Sequence, residues 1–167
     1  MHTGLYLIMG VSGSGKSLIG AQLARALDIA FVEGDDLHPP ENVTRMAAGI
    51  ALTDDDRHGW LMTIATRLRA AKRAGVGLVV SCSALKRGYR DLLRSAGDAD
   101  VRFVYLAGGQ ALLAERLANR RGHFMPPSLL ETQLSILEAP TPDERVWVCD
   151  IREAPDAIVA DLVRRAA

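Results

Sequence analysis

The sequence predicts an α/β fold in three layers, with helices on both faces of a five-stranded parallel sheet. Two observations indicate this class. Apolar strand-like segments alternate with helical segments five times along the chain, which is typical of a parallel sheet with right-handed crossovers. Residues 78–82 also form an apolar run without alternation, as expected of a strand buried on both faces. The length of 167 residues indicates a single domain, residues 1–167.

A phosphate-binding motif follows the first strand, which we predict over residues 5–9. Residues 10–17 read Gly-Val-Ser-Gly-Ser-Gly-Lys-Ser, the spacing of a P-loop, and a helix is predicted over 16–27. Backbone N–H groups in such a loop and the helix N-terminus favour bound anions. Lys16 is the expected cation for nucleotide phosphates, and the Ser17 hydroxyl is the expected ligand of Mg²⁺. The predicted nucleotide-binding residues are Gly10, Ser12, Gly13, Ser14, Gly15, Lys16, Ser17, Leu18, Arg116 and Pro155.

The second strand, predicted over residues 29–32, runs into a polar stretch that contains Asp35, Asp36 and His38. Ligands of open α/β sheets bind beyond the carboxyl ends of the strands, so these side chains are expected at the edge that carries the P-loop. We predict that Asp35 orients an attacking hydroxyl and accepts its proton, and that Asp36 caps the next helix. For His38, substrate contact and a structural hydrogen bond to backbone both remain open.

Two helices are predicted next, over residues 40–48 and from about 53 to 74. Proline in the first turn and Gly49 at the end bound the first of them. The second begins at N-cap candidates in 53–56, and its apolar residues Trp60, Ile64, Leu68 and Ala71 define a buried face. Arg57 either belongs to a surface ion-pair cluster or reaches into a cleft to bind an anion. Arg45 is either a solvated helix residue or a substrate contact.

The strand over 78–82 ends without the aspartate of a Walker B motif. Ser17, phosphate oxygens and water are therefore expected to hold Mg²⁺, with Asp35 as a further candidate. A short basic helix is predicted over 86–95. Its residues Lys86, Arg87 and Arg90 form either a solvated face or part of an anion site.

The C-terminal part contains a predicted strand over 101–106 and a helix over 110–120 that ends in arginines. The Gly/Pro-rich segment 122–127 and a helix over 128–137 follow, so residues 120–137 are interpreted as a mobile lid. Arg120 is predicted to stabilise charge on a transferring phosphoryl group, and the alternative is a helix C-cap. A strand over 146–149 and a helix over 154–165 complete the fold.

Composition excludes several classes of function. Twenty basic and twenty acidic residues cancel, which argues against a general nucleic-acid-binding protein. The apolar N-terminal run is too short to span a membrane and lacks a basic leader region. Two cysteines, Cys82 and Cys149, without a C-x-x-C pair, predict buried reduced thiols, and we expect a cytoplasmic protein.

Several sequence blocks resemble the bacterial-type gluconokinases, which are P-loop small-molecule kinases similar to shikimate kinase. The resemblance covers nearly the whole chain. The selective blocks are Glu33-Gly-Asp-Asp-Leu-His-Pro, Asn42-Val-Thr-Arg-Met-Ala-Ala-Gly, Leu52-Thr-Asp-Asp-Asp-Arg, Cys82-Ser-Ala-Leu-Lys-Arg, Tyr89-Arg and Arg120-Arg-Gly-His-Phe-Met. Two positions depart from the family pattern: Ala51 replaces a proline, and Gly59 replaces the proline of a Pro-Trp pair.

The resemblance implies a nucleoside-monophosphate-kinase type of fold with a lid, use of ATP and Mg²⁺, and frequent assembly into homodimers. The implied reaction is phosphorylation of the 6-hydroxyl of D-gluconate to 6-phosphogluconate. Gluconate carries hydroxyls and one carboxylate, so its site needs hydrogen-bonding groups and a cation. The candidates in the substrate region, residues 35–75, and beyond it are Asp35, His38, Arg45, Arg57, Lys86, His123 and Gln133.

Three alternatives remain open. Another small-molecule kinase of this fold would act on shikimate or a nucleoside monophosphate. A regulatory GTPase-like switch is suggested only by a D-x-x-G match at residues 56–59, and the chain has no N-K-x-D motif. A catalytically inactive ATP-binding module is disfavoured because Lys16, Ser17, Asp35 and Arg120 are all present.

Overall fold

Five parallel strands form one sheet in the order β2-β3-β1-β4-β5, in a computed structural model that describes residues 1–97, 100–120 and 129–167. The strands are β1 Leu5–Met9, β2 Ala30–Glu33, β3 Leu78–Ser81, β4 Val101–Ala107 and β5 Trp147–Asp150. The helices are α1 Lys16–Leu27, α2 Pro40–Ala47, α3 Asp54–Ala74, α4 Arg87–Ala96, α5 Gln110–Ala118, α6 Leu129–Ile136 and α7 Pro155–Ala166. The predicted α/β class and parallel sheet are confirmed.

Apolar side chains pack on both faces of the sheet, because successive residues of β1 point to opposite sides. Tyr6 and Ile8 belong to the cluster that includes α1, α5 and α7 residues. Leu5, Leu7 and Met9 belong to the cluster beneath α3 and α4. This two-sided burial explains why the strands read as continuous apolar runs.

Local signals in the sequence fix the helix ends. Thr53 and Asp56 form a reciprocal capping box at the start of α3, and Gly75 ends that helix at φ 68°. This placement confirms the predicted N-cap segment and bounds the helix whose first turn carries Arg57. None of the described helices is long and apolar enough to cross a membrane.

Arg90 lies in neither of the two environments that we predicted for it. Its side chain is fully buried, and its Nε and Nη2 atoms donate to the Glu144 carboxylate at 2.7 and 3.0 Å. The same guanidinium donates to the carbonyls of Ala84 and Glu138 at 2.9 and 3.0 Å. Arg90 therefore connects the loop after β3 to the segment that leads into β5. Arg87, in contrast, lies on the surface and pairs with Asp143.

Candidate active site

The P-loop wraps around the start of α1 in a conformation that requires glycine. Gly10, Gly13 and Gly15 have φ values of +147°, +83° and +95°, a region that residues with a Cβ atom rarely adopt. At Gly10 a Cβ atom would also lie 2.7 Å from Ser14 Oγ and 3.1 Å from the Leu106 carbonyl oxygen. Because these positions carry no Cβ atom, the loop backbone can approach a bound phosphate closely.

Lys16 points back into the loop, where its Nζ donates to the Val11 carbonyl at 3.1 Å. Burial lowers the pKa of Lys16, while the carboxylates of Asp35 and Glu33 act in the opposite direction. An ammonium group in this setting gains from a nearby anion more than a solvated lysine would, because less water screens it.

Ser12 connects the P-loop to α6. Its backbone N–H donates to Gln133 Oε1 at 2.7 Å, and both residues are buried. Beneath the same loop, Ser14 Oγ is buried and has no hydrogen-bond partner among the described residues. Gln133, predicted as a substrate contact, thus holds the phosphate loop as well as lining the cleft.

One cleft extends from the P-loop towards the start of α3. Most of the predicted site residues in the described ranges line it. The lining residues are Ser12, Gly15, Lys16, Ser17, Asp35, His38, Met46, Leu52, Arg57, Ser83, Leu85, Arg120 and Gln133. Lys16 and Ser17 mark its phosphate end, while His38, Leu52 and Arg57 mark the opposite end, which we name the acceptor end.

His38 is held by two neighbouring side chains. The Asn42 side-chain amide donates to His38 Nδ1 at 3.3 Å, and the imidazole stacks on Trp60 with ring centroids 4.0 Å apart. Burial, with a smaller contribution from the charge of Arg57, lowers the pKa of His38 to about 4. His38 is therefore neutral near pH 7. With Nδ1 accepting, the proton lies on Nε2, and His38 cannot supply the cation at the acceptor end.

Three cations were predicted around the acceptor end, and they lie in different surroundings. Arg57 lines the cleft and donates through Nη1 to the Leu52 carbonyl at 2.7 Å. Arg45 lies on the exposed face of α2, 3.5 Å from Asp56. Lys86 pairs with Asp54 at 3.1 Å. Arg57 is the one of these three that the cleft lining includes.

Glu33 was missed by the sequence analysis. Its carboxylate accepts hydrogen bonds from the hydroxyls of Ser17 and Ser81, and the register of the sheet places Glu33 beside Ser81. The available signal was a carboxylate directly after an apolar strand segment, at the same sheet edge as the P-loop. The sequence analysis had named Asp35 as the acidic candidate beside Ser17, whereas the carboxylate that contacts the Ser17 hydroxyl is that of Glu33.

Two further nucleotide candidates, Arg116 and Pro155, lie on α5 and α7. A second cavity beside the P-loop is lined by Gly13, Gly15, Ser17, Leu18, Arg116 and Arg120. Arg116 donates to the Ile151 carbonyl at 2.6 Å, and Pro155 is the first residue of α7. Arg120 borders both cavities. Residues 121–128 of the predicted lid, which include His123, lie outside the described residues.

A P-loop on a five-stranded parallel sheet, with a polar acceptor cleft beside it, defines the class of P-loop small-molecule kinases. Comparisons with known proteins agree: the profile of the AAA domain family matches residues 5–140. A gluconokinase of Gluconobacter oxydans (strain 621H) is 46% identical over 158 residues, which cover 95% of this chain and 88% of that protein. The thermoresistant gluconokinase of Escherichia coli (strain K12) is 42% identical over 160 residues, which cover 95% and 91%.

A solved structure supports the same assignment. The gluconokinase from Sinorhizobium meliloti 1021 matches with a TM-score of 0.87 and 48% identity, over 99% of this chain and 94% of that one. The chain therefore belongs to the gluconokinase family, as the sequence blocks had indicated.

Proposed function

We propose that this protein transfers the γ-phosphoryl group of ATP to the 6-hydroxyl of D-gluconate, giving 6-phosphogluconate and ADP. The observation that carries the proposal is the single cleft that joins the P-loop Lys16 and Ser17 to Asp35, His38 and Arg57. Membership of the gluconokinase family supports the same substrate.

The two ends of the cleft match the two reactants. The phosphate end presents backbone N–H groups, an ammonium and a hydroxyl, which suit the β- and γ-phosphates. The acceptor end presents neutral His38 for hydroxyl groups and Arg57 for a carboxylate. An aldonate carries both kinds of group, and membership of the gluconokinase family favours it over shikimate, which carries them too.

Phosphoryl transfer requires positioning and charge neutralisation more than covalent chemistry from the protein. Asp35 borders the cleft close enough to Lys16 for their charges to interact. In our proposal it orients the 6-hydroxyl and accepts its proton as the oxygen–phosphorus bond forms. Lys16 stabilises the phosphate oxygens, and Arg120 adds charge against the transferring group.

The residues around Ser17 fit a magnesium ion. Mg²⁺ prefers oxygen ligands and retains several waters, and Ser17 Oγ lies against the Glu33 carboxylate, which Ser81 also contacts. In our proposal Ser17 and Glu33 would hold the ion. Such an ion would supply neutralisation of charge on the β- and γ-phosphates.

Three further features are proposed from the family resemblance. The first is a homodimer. The second is a cytoplasmic location, which two buried free thiols also favour. The third is a mobile lid over residues 120–137, on a single domain whose substrate region is residues 35–75. The hydrogen bond between Ser12 and Gln133 supports coupling of the lid helix to the phosphate loop. Light scattering on the purified chain tests the dimer directly.

A substrate panel tests the proposed reaction. ADP release is measured with ATP and gluconate, ribose, glycerate, shikimate or AMP, and ³¹P NMR identifies the phosphorylated carbon of the product. We expect turnover with gluconate and a phosphate monoester on carbon 6. Lys16→Ala is the matched negative control, since it removes the ammonium from a preformed loop. Faster turnover of another acceptor, or a product phosphorylated elsewhere, would contradict the proposal.

A further inference from the structure

Hydrogen bonds hold the Arg57 guanidinium at one of its nitrogens, and the edge formed by the other two can bind a ligand. In the described part of the chain both of its hydrogen bonds use the same nitrogen: Nη1 donates to the Leu52 carbonyl at 2.7 Å and to the Tyr89 hydroxyl at 3.1 Å. The guanidinium carbon lies 5.5 Å from the centroid of the Tyr89 ring. These contacts leave Nε and Nη2, an edge that can bind the two oxygens of a carboxylate together.

Tyr89 is itself held in place. It is buried near the start of α4, and its hydroxyl donates to Asp54 at the start of α3. Asp54 also accepts from Lys86 Nζ at 3.1 Å, and Lys86 lies 5.7 Å from the same ring. One hydroxyl therefore accepts from Arg57 and donates to Asp54, which ties the two helices together beside the cleft.

The charges around this hydroxyl favour the arrangement. The Tyr89 hydroxyl and the Lys86 ammonium hold the pKa of Asp54 below its usual value, so Asp54 is an ionised acceptor at neutral pH. With its proton directed to Asp54, the hydroxyl presents lone pairs to Arg57. The direction of both hydrogen bonds is thus determined by the carboxylate.

Among the described lining residues, Arg57 is the cation of the acceptor end, since Lys16 belongs to the P-loop and Arg120 also lines the second cavity beside it. We propose that Tyr89, oriented by Asp54, is a positioning residue that holds Arg57 for the carboxylate of the acceptor substrate. This inference rests on the proposed function, because it assumes an acidic acceptor. Tyr89 acts through Arg57 and thereby contributes to discrimination between an aldonate and its uncharged analogues.

Tyr89→Phe tests this role with a minimal change. The ring remains beneath the guanidinium, while the hydroxyl that accepts from Nη1 and donates to Asp54 is lost. A hydrogen bond to a charged group that is lost from an ordered site costs more than a neutral one. We expect KM for gluconate to rise about tenfold, with KM for ATP unchanged and kcat within about threefold.

A neutral acceptor separates positioning from general damage. Gluconamide has the same hydroxyls without the carboxylate, so its kcat/KM should change by less than about twofold in Tyr89→Phe. The preference for gluconate over gluconamide should therefore fall about tenfold. Asp54→Asn, which leaves Tyr89 in place and weakens its orientation, should change the same ratio in the same direction by a smaller factor.

Tyr6→Phe is the matched control. Tyr6 is also buried, and its change to phenylalanine also removes side-chain hydrogen bonding, here one bond at 2.7 Å to His2, but Tyr6 lies on β1 away from the cleft. Its KM values should match the wild type. Equal losses with gluconate, gluconamide and ATP in Tyr89→Phe, or a gluconate KM within twofold of wild type, would overturn the inference. Absence of gluconate turnover by the wild type would instead refute the proposed function.

Discussion

Replacing Arg90 by methionine should destabilise the fold more than removing any surface arginine. Arg90 and Glu144 have side chains that are 0% and 1% exposed. Removing one partner of a buried ion pair costs about 3–5 kcal/mol, because the other charge stays in the protein interior. Methionine fills a similar volume, so the cost reflects the lost charge and hydrogen bonds more than a cavity.

The surroundings of Arg90 adjust this value in two directions. Arg94 donates to Glu144 at 3.1 Å and is retained in the variant, which should reduce the penalty on the carboxylate. The carbonyls of Ala84 and Glu138 lose their donor, and an unsatisfied buried acceptor costs about 1–3 kcal/mol. We therefore expect a loss of about 4 kcal/mol in the free energy of unfolding, or a fall in Tm of about 8–16 °C for a chain of this size.

Arg87→Met is the matched control. Arg87 also forms an ion pair, with Asp143, but these two side chains are 43% and 60% exposed. Such pairs contribute about 0–1 kcal/mol. Urea denaturation followed by circular dichroism gives the free energies for both variants. If Arg90→Met yields no folded protein, Arg90→Lys keeps the charge and should show an intermediate loss. Equal stabilities of Arg90→Met and Arg87→Met would refute the reasoning.

Three further predictions concern catalysis and pH. Asp35→Asn should lower kcat about 10²–10⁴-fold with little effect on ATP affinity, and a kcat within a few-fold of wild type would remove Asp35 as the base. Arg120→Lys keeps the charge but loses the forked geometry, so Tm should hold while kcat falls at least about tenfold; an unchanged kcat would exclude Arg120 from the site. Burial lowers the pKa of His38 from 6.5 to about 4, so as the pH falls the imidazole is protonated in the unfolded chain before it is protonated in the folded protein. The contribution of neutral His38 to the free energy of unfolding is therefore complete above pH 6.5 and is lost as the pH falls towards 4. His38→Phe keeps a ring on Trp60 without the titration, and urea midpoints should show a smaller loss between about pH 7.5 and 4.5 than in the wild type; an equal loss would contradict this assignment.

Most of the fold could be predicted from local patterns. Strands over 5–9 and 78–82 and the long helix from about 53 to 74 agree with β1, β3 and α3 within a residue or so. These elements carry strong local signals: two-sided apolar runs, a capping box and a terminal glycine. The sheet order was not predicted from the residues themselves, because it depends on which strands meet across the sheet.

The site was predicted in part, and its gaps have physical causes. Asp35 and His38 line the cleft beside the P-loop, as expected from their places after β2, and Arg57, which the sequence left between a surface ion pair and the cleft, lines it as well. Glu33 was missed because the predicted strand ended at residue 32, whereas β2 extends through Glu33 and places it beside Ser81. Arg90 was misjudged because its partner Glu144 lies 54 residues further along the chain. The pattern of apolar and polar residues within α4 does not indicate a contact with so distant a residue.

The two ends of the cleft are built from different interactions, and this bears on the two departures from the family pattern. Backbone conformation shapes the phosphate end, through Gly10, Gly13 and Gly15, with the Gln133 side chain as a further support at Ser12. Side-chain contacts between α2, α3 and α4 shape the acceptor end. Both departures fall there: Ala51 precedes Leu52, whose carbonyl binds Arg57, and Gly59 precedes Trp60, on which His38 stacks.

Neither departure removes a group that the reaction needs. A Cβ atom at Gly59 would meet nothing within 4 Å, so the missing proline ring leaves no gap in the packing around Trp60. Glycine and alanine restrict the backbone less than proline does, since both allow more conformations. Their effect should therefore fall on how rigidly Leu52, Arg57 and His38 are held, and thus on acceptor affinity. Tyr89 and Asp54 supply, through side chains, an anchor for Arg57 in a part of the chain whose backbone carries less restraint.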